Sequence, residues 1–292
     1  MFVMLVTLSG CNTPKALPSA TALPPTAQIE KQATQTLAPV RNTPAAATPT
    51  ERIVEATEPP VPPRIVILEP GRGSRVATAK VSGQSEPTFE QHLGIRISGE
   101  DGTLVGEGYT TINAEMGMRG SFEAEIFFSV DREQSGRISV FDTSARDGGL
   151  MYLTSVLVTL IPDLAAGVQV LPADNLVSFF RIDQPPAYGE VSGGMLHVEG
   201  LSGPAFENTI IVTLCGEGGS GARELICGTE DNVLVTVPVT IQSADIGQPG
   251  TFSVDIPYAV SQETFARVAV YVLSPMDGGI IELNSVEVLL RP

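Results

Sequence analysis

Three cysteines and two histidines are the residues of this 292-residue chain whose types suit covalent, redox or metal chemistry. Cys215 closes the apolar run Thr209–Leu214, Cys227 follows Glu224-Leu225-Ile226, and a glycine-rich turn, Gly216–Gly221, separates them. Such a pair can form a disulfide, half of a metal site or a redox couple. A metal site wants further Cys or His nearby, and none is there. A redox pair usually takes the tighter Cys-x-x-Cys spacing. His92 opens an expected strand, and His197 lies in the alternating stretch Met195-Leu196-His197-Val198, where an exposed or satisfied histidine is the default. The chain has no Gly-x-Ser-x-Gly to place a nucleophile on a constrained turn. With 33 acids, a carboxylate pair for glycoside hydrolysis is too easily assembled to be a signal. No catalytic residue is assigned, and the chain is expected not to be an enzyme. Calcium could draw on Asp163, Asp174 and Asn175, with Asp147 and Asp277, but no EF-hand spacing is present. The plainer expectation is Asp-Gly turns and a solvated linker, with no metal and no cofactor. Sugar binding usually calls for aromatic platforms, and the chain has no Trp and five Tyr.

The elements that must position these residues come twice. Slid by 130 positions, Gly120–Leu160 falls on Gly250–Leu290 without a gap, and sixteen of 41 positions are identical. Among them are Phe122/Phe252, Arg137/Arg267 and Asp147-Gly148-Gly149/Asp277-Gly278-Gly279. Upstream the register is 117, with Val81-Ser82-Gly83 on Val198-Glu199-Gly200, so the second copy carries thirteen extra residues, which hold Cys215 and Cys227. Within the first copy, strands are expected at Arg64–Leu68, Ala77–Gly83, His92–Ser98, Leu104–Thr111, Ser121–Val130, Gly136–Phe141 and Leu150–Ile161. They alternate apolar and polar residues, and Asp101-Gly102 and Asp147-Gly148 supply the turns. Seven short strands in such a length read as an immunoglobulin-type sandwich. The fold class is all-β: two tandem immunoglobulin-like β-sandwiches, at 64–161 and 177–292, joined by a linker at 162–176 with no element of its own.

Ahead of them, residues 12–63 are rich in Thr, Ala and Pro and poor in large apolar residues, so they are expected to form a disordered tether. Fully extended it would reach about 150 Å. Residues 1–11 run from an apolar stretch into Leu8-Ser9-Gly10-Cys11, which resembles the lipobox of bacterial lipoproteins. In that family the chain is cut before the cysteine, whose sulfur carries lipid. The resemblance implies a lipid anchor on Cys11 and an extracytoplasmic protein. In that oxidising compartment Cys215 and Cys227 are expected to be bridged, which leaves no free thiol. A loop of that size would contribute about 3 kcal/mol. The net charge of −16 argues against nucleic acid and against a basic patch on anionic lipid.

An opening Ile65-Val66-Ile67-Leu68-Glu69-Pro70-Gly71, then Val81-Ser82-Gly83, Phe89-Glu90, Gly120-Ser121-Phe122 and Asp147-Gly148-Gly149 resemble the immunoglobulin-like domain of bacterial spore germination proteins. That domain occurs beside the GerMN domain in lipoproteins. The resemblance covers 64–161 and 177–291. The second copy departs from it in its opening, Phe180-Arg181-Ile182-Asp183-Gln184-Pro185-Pro186, and in its insertion. It implies a non-catalytic extracytoplasmic module, with no catalytic residues to carry over. No GerMN-like segment is seen, so a role in germination is not implied. The expected function is protein docking or envelope scaffolding, with a membrane contacted through the lipid and an envelope or surface protein as partner. The alternative is a glycan, small ligand or calcium at an inter-domain groove. A third reading presents the Cys215–Cys227 hairpin to a protease.

Overall fold

Alternating burial marks the outer strands of both copies. In Ala79–Ser85 and Gly120–Ile126 every second residue turns inward, as the two-residue period of a strand with one wet face requires. The computed structural model describes residues 64–173, 180–216, 226–228 and 232–292. Cys11 and residues 1–63 lie outside them, as do Asp174, Asn175 and most of the glycine-rich turn.

The first sandwich is built from β1 (Ile65–Glu69), β2 (Arg75–Val76), β3 (Ala79–Ser85), β4 (His92–Ser98), β5 (Leu104–Thr111), β6 (Gly120–Ile126), β7 (Gln134–Thr143) and β8 (Leu150–Leu160). One sheet runs β1-β3-β6, and the other runs β5-β4-β7-β8 with β2 parallel to the end of β8. The second sandwich comprises β9 (Phe180–Gln184), β10 (Gly189–Val191), β11 (Met195–Ser202), β12 (Thr209–Cys215), β13 (Val233–Thr240), β14 (Gln242–Ser243), β15 (Gly250–Pro257), β16 (Thr264–Leu273) and β17 (Ile280–Leu290). Its sheets run β9-β11-β15-β14 and β13-β12-β16-β17, with β10 parallel to the end of β17. The strand Arg75–Val76 was not anticipated, because two residues carry no periodicity.

Each sandwich closes on its own core. Ile95, Ile97, Phe122 and Ile138 anchor the first, and Val198, Val212, Phe252 and Val268 the second. Fully burying one such side chain is worth about 1.5–3 kcal/mol. The repeated glycines explain the repeated phenylalanines. Gly83 pairs with Phe122 across the strands and Gly200 with Phe252, and a Cβ on either glycine would fall first on a backbone carbonyl, of Val66 or Arg181, and then on the ring.

One expectation needs correction, that of a joining segment with no element of its own. The opening of the second copy differs from the first in its residues but pairs as the first does. Ile67 pairs with Gly83 as Ile182 pairs with Gly200, a bulge follows in both, and both openings end in a cis proline, Pro70 and Pro185. The joining segment does have structure. Leu164–Ala166 form a 3-10 turn whose N–H groups are capped by Asp163, and Gln169 bridges back to Arg75.

The long sheets do not end at the domain boundary. β8 pairs antiparallel with β17, so one sheet runs β5-β4-β7-β8-β17-β16-β12-β13 through both sandwiches. Period-two patterning reports which face of a strand is wet, but not what hydrogen-bonds to its edge.

Candidate functional site

Three residue pairs define the joint: Tyr152 with Asn284, Leu153 with Leu283, and Thr154 with Glu282. In the 130-residue register Leu153 is the counterpart of Leu283, Tyr152 of Glu282 and Thr154 of Asn284. The set therefore maps onto itself in reverse, and a pseudo-two-fold axis passes through the Leu153–Leu283 pair. That is the pattern of an isologous interface, in which residue i meets j and j meets i. Around the axis lies a third apolar cluster of buried Phe141, Leu150, Leu153, Ala269, Tyr271 and Leu283.

The polar contacts obey the same symmetry. Arg137 on β7 reaches across to Asp277, with Nε donating to Oδ2 at 2.9 Å and Nη2 to Oδ1 at 2.6 Å, a bidentate fork. Its counterpart Arg267 on β16 donates through Nη2 to Asp147 and, at 3.5 Å, to Glu287. Ser155 donates to the carbonyls of Ile280 and Ile281, and Ser285 to those of Leu150 and Met151. Side-chain exposure is 5% and 19% for Arg137 and Asp277, and 1% and 9% for Arg267 and Asp147, so both pairs are largely out of water. Burial works against the charge of Asp277, but the bonds from Arg137 and Ser274 outweigh it and hold its carboxyl below the usual range.

The Asp-Gly-Gly turn is shaped for this contact. The Asp accepts the arginine. The first glycine, Gly148 or Gly278, has φ of +70° or +69°, which glycine adopts without penalty. The second glycine leaves space: a Cβ on Gly149 would fall on the Arg267 guanidinium, and one on Gly279 on that of Arg137.

Symmetry breaks on one side. Ser144 Oγ donates to Glu287 at 3.0 Å, and Arg146 lies 3.8 Å from the centre of the Phe265 ring. Leu150 N–H donates to the carbonyl of Ile226, beside Cys227 in the second copy's insertion. Cys215 and Cys227 are joined by a disulfide. Cys215 ends β12, and Cys227 sits in a turn ahead of β13. Among the described residues, Arg267 Nε and Nη1 are buried without a hydrogen-bond partner, so this side of the joint is the less well satisfied.

The remaining sequence candidates fall elsewhere. His197 is half exposed on β11, between Asp255 at 2.7 Å and Glu199 at 3.3 Å. Those bonds, Asp255's first, raise its pKa. His92 opens β4, exposed. Of the suggested calcium ligands, Asp147 and Asp277 serve the arginines and Asp163 caps its turn. Among the described residues no group of three or more His, Cys, Asp or Glu is placed to hold a metal. The joint as a unit was missed. Its legible trace was the identity of polar residues within the duplication, Arg137/Arg267, Asp147/Asp277 and Ser155/Ser285 among them.

Fold and joint together define an immunoglobulin-like module. Residues 64–149, the first sandwich up to the Asp-Gly-Gly turn, match the family model of the immunoglobulin-like domain of bacterial spore germination. No curated protein matches the chain. Among solved structures, similarity is found to a red sea bream transglutaminase, 9% identical with a TM-score of 0.27, covering 78% of this chain and 31% of that one. A marsupial T cell receptor is 11% identical with a TM-score of 0.24, covering 77% and 73%. The chain thus spans under a third of the transglutaminase's length.

Proposed function

We propose that this is a non-catalytic, lipid-anchored surface protein whose two immunoglobulin-like sandwiches, both of the germination type, act as one rigid docking or scaffolding block outside the cytoplasm. The observation that carries the reading is the continuous sheet. A joint made of main-chain pairing, an apolar cluster and two buried ion pairs holds the sandwiches in one orientation. A fixed orientation is what a scaffold needs, since inter-domain motion is otherwise the default. The outer ends of the sheet, β5 and β13, are edge strands, and such edges can accept a partner's strand. The Cys215–Cys227 disulfide supports an oxidising compartment, and Leu8-Ser9-Gly10-Cys11 supports the anchor. The alternative, calcium or a small ligand in an inter-domain groove, meets a joint filled by Leu153, Leu283 and arginine-bound carboxylates.

Two measurements test the proposal. Cys11→Ala should move the protein from the membrane to the soluble fraction, and continued membrane retention would refute the anchor. Residues 64–292, used for cross-linking capture from native envelope fractions, should recover a protein partner that excess free 64–292 competes away. Recovery of wall glycan alone would refute protein docking.

A further inference from the structure

We infer that the β8 edge of the first sandwich is complementary to itself, and that the partner it fits is a second copy of the same sandwich. This stands independently of the anchor and of any envelope partner. The argument is the symmetry of the joint. An isologous interface needs one surface, used twice, and here each half already carries the whole surface. The first sandwich holds Arg137 and the Asp147 that would receive its equivalent. It holds Ser155 and the Leu150 and Met151 carbonyls that Ser155 would bond, with Leu153 on the axis and Phe141 and Leu150 around it. Replacing the second sandwich by another first one puts Leu153 on Leu153, Tyr152 opposite Thr154 and Arg137 opposite Asp147, with no like charges facing in either ion pair.

The contacts without a symmetric counterpart, Ser144 and Arg146 with Glu287, Arg146 over Phe265 and Leu150 with Ile226, belong to the mixed pairing alone. Linkage in one chain adds a millimolar effective concentration. The chain therefore closes on itself, and self-pairing is latent rather than displayed.

The test turns the charges of one sandwich around in residues 64–292, which lie within one compact unit. In an Arg137→Asp, Asp147→Arg chain the mixed joint sets like charges against each other at both ion pairs, while a first-to-first joint and a second-to-second joint keep opposite charges. The expected result is a twofold rise in mass by light scattering, from a monomeric parent to a folded dimer. A folded monomer with its sandwiches apart in small-angle scattering overturns the inference. Should circular dichroism show that this variant does not fold, a Leu153→Cys chain decides. Refolded at rising concentration and oxidised, it should give a dimer linked between the two introduced thiols. No such dimer, while a Leu153→Cys, Leu283→Cys chain cross-links within itself, overturns the inference equally.

Discussion

Arg137 and Arg267 are the same residue of one repeat, yet their surroundings differ enough to rank them. Removing Arg267 takes the arginine partner from Asp147, whose side chain is 9% exposed, and one of three partners from Glu287, which keeps Ser144 and Arg146. Removing Arg137 strands Asp277, which at 19% can recover more water. Breaking a buried pair from one side costs about 3–5 kcal/mol. Arg267→Ala should fall in that range by chemical denaturation, and Arg137→Ala should cost less. The reverse order would show that the bidentate fork, not burial, sets the scale. Asp142 gives a second prediction. Its counterpart in the second copy is Val272, and burial pushes its carboxyl up to about 7, with a weaker opposing bond from the Thr143 backbone. A carboxyl with a raised folded pKa binds its proton more tightly folded than unfolded. Its contribution to stability is complete below the unfolded value near 4 and is lost as pH rises through about 7. The parent should gain roughly 2–3 kcal/mol from this group between pH 8 and pH 5. Asp142→Asn should remove that part of the slope, and an unchanged slope in the variant would place the titrating group elsewhere.

At the scale of elements, β8 and β17 each serve their own sandwich on one edge and the other sandwich on the other. Strand periodicity made both visible: Leu150–Ile161 was expected and Leu150–Leu160 is found. Their partners across the joint were not visible, because an edge bond is made by backbone and any sequence of strand formers can offer it. The insertion shows the same limit. The disulfide was legible, although Cys215 pairs with Arg267 as Ser98 pairs with Arg137 and so ends a duplicated strand, which leaves only Cys227 in the insertion. The Ile226 carbonyl that receives Leu150 N–H depends on tertiary placement. Reducing the bridge, or the Cys215→Ser, Cys227→Ser chain, should lower stability by about 3 kcal/mol. Amide exchange at Leu150 should rise with it. Lost stability with Leu150 still protected would show that the insertion does not help hold the joint.

The whole molecule behaves as a chain with two cores and one shared sheet. Two sandwiches on an ordinary linker would melt independently. These share main-chain pairing, the cluster around Leu153 and Leu283, and two buried ion pairs, so residues 64–292 should unfold in a single calorimetric transition with the van't Hoff enthalpy equal to the calorimetric one. Leu153→Asp, which places a carboxylate on the pseudo-two-fold axis, should split it in two. Two transitions in the parent would mean that the joint is weaker than its contacts imply.

What the sequence by itself determined was the repeated unit: its strands, its turns, its cores and its one disulfide. These follow from local periodicity, from the glycine that a positive φ or a close ring requires, and from the pairing of neighbouring cysteines. What only the tertiary structure decided was that the two units face each other across a pseudo-two-fold axis, each using the same surface. Arg137 and Asp277, like Arg267 and Asp147, are far apart along the chain and find each other only when β8 and β17 pair. A duplication announces that two copies exist, but the contact between them is a property of the β8 and β17 edges, and a single chain's pattern does not say whether those edges meet water or each other.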